Sequence, residues 1–133
     1  MKMFRFIGKA EMEAILNGET VYNTTDYSKN HNTTSKGFCF FQNNRAKKIS
    51  TIAENALDYL GGIVDTYAII CVEVETARKA SGFYSVGYKT EYNLTEYNKN
   101  IVVGAWLCKT HTFTSKTFGR TYTMFDGIGE QII

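Results

Sequence analysis

The stretch "YAIICVEVE", Tyr67–Glu75, decides the fold class. Five apolar residues follow Tyr67 without interruption, and valine then alternates with glutamate. A short β-rich apolar run that opens into alternation reads as a strand placed centrally in a sheet. Upstream, Ile49, Ile52, Ala53, Ala56, Leu57 and Leu60 recur at helical spacing, which predicts an amphipathic helix over Arg45–Leu60. Asn43 or Asn44 is placed to cap its start and Gly61-Gly62 its end.

Further out, "MFRFI" near the N-terminus alternates as a first strand and Gly8 breaks it. Met12, Ile15 and Leu16 put an apolar stripe on a short helix that Asn17-Gly18 ends. "TVYNTT" is a candidate second strand, and a polar loop leads from it to the strand "FCFF", Phe38–Phe41. "TARKASG" suggests a single helical turn closed by Gly82. "NIVVGAWLCKTHTFT" and "TFGRTYTMF" read as an antiparallel hairpin around "TSK". One face carries Thr110, Thr112 and Thr114, the other Lys109, His111 and Phe113, while Phe118, Arg120, Tyr122 and Met124 belong to the second strand. The expectation is an α+β single domain over residues 1–133. It has a mostly antiparallel sheet, one long amphipathic helix and one or two short ones.

The totals narrow the function classes. A chain of 133 residues can bury a core without staples, and a formal charge of +2 does not argue for nucleic acid. Cys39, Cys71 and Cys108 lie far apart in apolar or alternating runs, as buried thiols do in a reducing compartment. No apolar run approaches a membrane span and the charged N-terminus does not resemble a signal peptide, so a cytoplasmic protein with no membrane partner is expected. The absence of proline, with abundant Lys, Asn, Ile, Tyr and Thr, suits an AT-rich coding source such as a bacterium or a phage. A phosphate-binding glycine loop, zinc-ligand spacing and a nucleophile elbow are all missing.

Three polar features remain. Arg5 interrupts an apolar strand, so it lies on an exposed face or pairs with a phosphate or carboxylate. "TTSKGFCFF" offers the hydroxyls of Thr33, Thr34 and Ser35 ahead of the aromatic wall of Phe38, or is an ordinary loop into a core strand. Glu91 and Glu96, each followed by a tyrosine (Tyr92 and Tyr97), suit acids that accept a ribose hydroxyl or face a developing cation, or are plain surface glutamates.

The order of these features resembles the ADP-ribosyltransferase family in its Arg-Ser-Glu form, over roughly Met3 to Glu96. The resemblance implies an NAD-using transferase acting on a macromolecular target. It implies that Arg5 holds the diphosphate and that Ser35, with Thr34 beside it, borders the nicotinamide side. Glu91 or Glu96 would be the catalytic acid, and Phe38 or Tyr92 would stack on the ring. Here the second motif reads Thr-Thr-Ser and the two acids stand five apart, which departs from the family pattern. The rival expectation is a small phage-encoded inhibitor, an anti-defence protein that occupies a host protein without catalysis. Nine Phe and nine Tyr supply its anchors, with Lys109, His111, Arg120 and Tyr122 as a patch. RNA or single-stranded DNA binding is a weaker third expectation, since the basic residues are scattered.

Overall fold

The computed structural model describes residues 1–22, 33–34, 37–43, 45–60, 67–79 and 89–133. Over these residues the chain folds as a mostly antiparallel sheet with two helices. Its strands are β1 (Lys2–Ile7), β2 (Val21–Tyr22), β3 (Thr33–Thr34), β4 (Gly37–Asn43), β5 (Ala68–Glu73), β6 (Arg78–Lys79), β7 (Lys89–Leu94), β8 (Glu96–Tyr97), β9 (Val102–Thr114) and β10 (Thr121–Gln131). The helices are α1 (Lys9–Leu16) and α2 (Ile49–Leu60), and a 3-10 turn spans Lys99–Ile101. In the main sheet the order is β10-β9-β5-β1-β4-β7-β6, with β3 added to β4, while β2 and β8 form a separate ribbon.

Tyr67–Glu75 explains itself in this frame. β5 lies between β1 and β9, paired to both, and the sheet is covered on both faces. Ile70 and Val72 join the cluster that holds Met3, Ile7, Phe38 and Phe40 against Met12 and Ile15 of α1. Ile69 joins Phe6, Phe41, Ile52 and Ala53 on the α2 face. Both sides of the strand must therefore be apolar from Ala68 to Val72. Polar alternation begins at Glu73, which is exposed. Each fully buried Phe or Ile contributes about 1.5–3 kcal/mol relative to an exposed one.

α1 matches the expected short helix. Its stop at Asn17-Gly18 is made by Gly18 N–H donating to Ile15 O and Glu19 N–H to Ala14 O, each at 3.0 Å. Three expectations are corrected. α2 begins at Ile49, not Arg45, because the Asn43 side-chain oxygen accepts the N–H groups of Arg45 and Ala46, both at 3.0 Å. Asn43 thus closes a turn ahead of the helix instead of capping it. Asn44, Gly61 and Gly62 lie outside the described residues, as does Gly82.

Where a helical turn was expected, Arg78–Lys79 is a short strand paired with Asn93 and Tyr92 of β7. Backbone pairing to a sheet edge overrides the helix preference of Ala, Arg and Lys. The third correction concerns the hairpin. β10 starts at Thr121, so Phe118 and Arg120 belong to the turn, and it continues past Phe125 to Gln131 through two register shifts. The turn has Gly119 at φ +64° with its N–H on Ser115 O, a backbone that a β-branched residue resists.

Candidate functional site

β1 sends Met3, Arg5 and Ile7 to the α1 face and Phe4 and Phe6 to the α2 face. Gly8 turns the chain into α1, whose first turn brings Glu11 back to Arg5. Both side chains are wholly buried. Arg5 Nε donates to Glu11 Oε2 at 3.0 Å and Nη2 donates to Oε1 at 2.9 Å, a two-pronged pair. The Tyr97 hydroxyl donates to the same Glu11 Oε2. The guanidinium carbon lies 4.8 Å from the Phe38 ring centre, and the Tyr97 ring meets Phe38 and Phe40 edge-on at 5.1 and 5.4 Å. Burial, followed by the charge of Glu11, holds the Tyr97 phenol protonated well above its ordinary range.

This cluster ties four separate elements together: β1, α1, β4 and β8. Its charges are answered internally, so its chemistry is that of a closed ion pair that fixes geometry.

The expected site residues are distributed unevenly around it. Arg5 is at its centre, with its fork on Glu11. Phe38 is beside it but fully buried. Thr34 is in β3, opposite Gly37 in register, and Ser35 lies outside the described residues, as does His31. Tyr92 is half-buried on β7 opposite Phe40, its hydroxyl 3.5 Å from Gln42 Oε1. Glu96 is exposed on β8, opposite Tyr22 and next to Tyr97.

Glu91 is only 5% exposed and pairs in register with Phe41. Phe41 belongs to the α2-face cluster, so Glu91 and Arg5 lie on opposite faces of the sheet. The fold thus brings Arg5, Phe38 and the Glu96-Tyr97 strand to one place and leaves Glu91 behind. Glu11 was missed by sequence reasoning, which noted Tyr97 only as the neighbour of Glu96 and not as a partner of a buried acid. Glu11 did carry a signal, since it stands four residues before Ile15 on the apolar stripe, within reach of a strand arginine that needed an acid.

A second feature stands at the other end of the sheet. Among the described residues β5 pairs with β9 from Val102 to Leu107, and Cys108 N–H donates to Tyr67 O. Beyond it, among the described residues, β9 and β10 continue paired with each other. From Lys109 to Thr114, β9 is exposed. At about 3.3 Å per residue, these six residues span about 20 Å. Phe113 is 55% and Phe118 75% exposed, near Lys109, His111 and Arg120. On the opposite face Thr114 and Thr121 share a hydroxyl contact at 3.1 Å.

No protein-family model, no curated protein and no solved structure matches the chain. Among the described residues no helix is long and apolar enough to cross a membrane.

Proposed function

We propose that the chain is a small inhibitor-type protein that acts without catalysis, by docking its β9–β10 ribbon on a protein of the host cell. The observation that carries this reading is the paired β9–β10 ribbon with Phe113 and Phe118 held out in water. Two exposed phenylalanines flanked by Lys109, His111 and Arg120 are the residue types that anchor interfaces. The closed Arg5–Glu11 pair favours it too, because an arginine already gripped by a buried carboxylate does not reach a diphosphate.

The test is capture of host proteins on the immobilised chain, alongside the double variant Phe113→Ser with Phe118→Ser. A specific partner retained by the parent chain and lost by the variant, with the melting temperature unchanged, is the expected result. A partner held equally by both, or none at all, removes the reading.

A second reading is favoured by one observation. Arg5, Phe38 and the Glu96-Tyr97 strand, far apart in sequence, lie close together through Tyr97, and an ADP-ribosyltransferase-like, NAD-using cleft is the reading that gives this neighbourhood a task. In this reading Glu96 is the acid that meets the ribose, and Arg5 supports the cleft from beneath. Calorimetric titration with NAD decides it. Saturable binding, with turnover abolished by Glu96→Gln while NAD affinity is largely kept, supports the transferase. No heat at millimolar NAD leaves the inhibitor reading alone.

A further inference from the structure

The α2 face of the sheet holds a groove of about 410 Å³, on the side opposite Arg5 and Phe38. Its floor is aromatic, from Phe4 and Trp106, and Ile49 and Ile52 of α2 form a wall. Lys2 and Lys47 stand at the rim with the amide of Gln131. Among the described residues no carboxylate lines it, and neither lysine is in an ion pair. Glu73 on the neighbouring strand stands opposite Lys2 in the β1–β5 register.

Trp106 is built into a platform. A side-chain carbon at Gly104 would come within 2.6 Å of the indole Cη2, so the ring lies back over a backbone that only glycine leaves clear. Gln131 is oriented by its own Nε2–H, which donates to Ile133 O at 2.9 Å and leaves Oε1 as an acceptor. The charge pattern points the same way. α2 starts directly after Lys47 and Lys48 and has no acid in its first turn, so cations stand at the positive end of a helix. That arrangement costs stability until an anion arrives.

We propose that this groove binds a mononucleotide, with the base on Trp106 and Phe4 and the phosphate between Lys2 and Lys47. Flat aromatic walls take a base by stacking, and paired ammonium groups take the phosphate. The size agrees, since small-molecule sites run from about 300 to 1,000 Å³. The site is independent of the ribbon and of the Arg5 face.

Trp106 is the single tryptophan of the chain, so its fluorescence reports this groove directly. Intact protein is titrated with AMP, adenosine, inorganic phosphate and benzoate. Saturable quenching by AMP is expected, with adenosine at least about tenfold weaker and phosphate silent. Lys2→Gln and Lys47→Gln, both at exposed positions, should each weaken AMP about tenfold and leave adenosine unchanged. Equal affinity for AMP and adenosine, AMP binding indifferent to Lys47→Gln, or benzoate as tight as AMP would overturn the proposal. No quenching up to about 10 mM AMP would do the same. NAD binding that survives Lys47→Gln, with turnover lost in Glu96→Gln, belongs to the Arg5 face instead.

Discussion

A buried arginine is tolerated only when its charge is answered, and at Arg5 a buried carboxylate supplies a two-pronged part of that answer. Glu11 meets two guanidinium nitrogens and also accepts from Tyr97. Removing the carboxylate charge alone strands a cation, so Glu11→Gln should destabilise the fold by about 3–5 kcal/mol in urea titration. Adding Arg5→Met to it removes the stranded charge while the amide still accepts from Tyr97. The double variant should therefore recover more than about 1 kcal/mol relative to the sum of the singles. A purely additive result would mean that the pair is not the unit described. The thiols give a second residue-scale expectation. Burial raises Cys71 from 9.0 to about 11, with Lys2 lowering and Glu73 raising it, and burial raises Cys108 to about 12. Above pH 9 the unfolded chain then sheds these protons before the folded chain does. Their stabilisation is complete below pH 9 and is lost as pH rises through 11 and 12. Denaturation curves should fall more steeply with alkaline pH for the parent chain than for a variant with alanine at both positions.

At the scale of elements, the hairpin separates two kinds of strand. β9 is buried where β5 and the helical layers cover it, at Val102 and Ala105, and exposed from Lys109 onward. Gly119→Val places a β-branched residue at φ +64° and should cost about 1–2 kcal/mol locally. Because a two-stranded ribbon has little stability of its own, that cost should appear as faster amide exchange at Thr114 and Thr121. Exchange in β5 should stay unchanged; slowed or unchanged exchange at the ribbon tip would contradict this account. The elements were readable where one periodicity had no competitor. β1, α1, β5 and the hairpin pairing follow from alternation, helical spacing and turn residues. The start of α2 was misread because helix-favouring Arg, Ala and Lys precede it, whereas the Asn43 side chain claims the local N–H groups. β6 was misread because two residues become a strand only when β7 offers an edge.

For the whole molecule, the sheet is a partition with a different task on each side. The α1 face carries the Arg5 cluster, the α2 face carries the groove, and the ribbon belongs to its β9–β10 edge. Phe6→Ala, in the α2-face core and 5.8 Å from the ring of Phe125, should cost about 3–5 kcal/mol and lower the melting temperature of the whole domain. Ribbon substitutions at Phe113 and Phe118 should leave that temperature within about 0.5 kcal/mol of equivalent stability. By itself the sequence determined that the chain is α+β, that Tyr67–Glu75 holds a central strand, and that Arg5, if its strand face is buried, requires an acid or an anion. These follow from local periodicity and from the cost of burying a charge, which any segment carries with it. Only the tertiary structure decided which acid answers Arg5, that Glu91 and Arg5 face opposite ways, and that Lys2, Lys47 and Trp106 share one groove. Strand register and sheet order set those neighbours, and a shift of one residue in register exchanges the two faces of a strand.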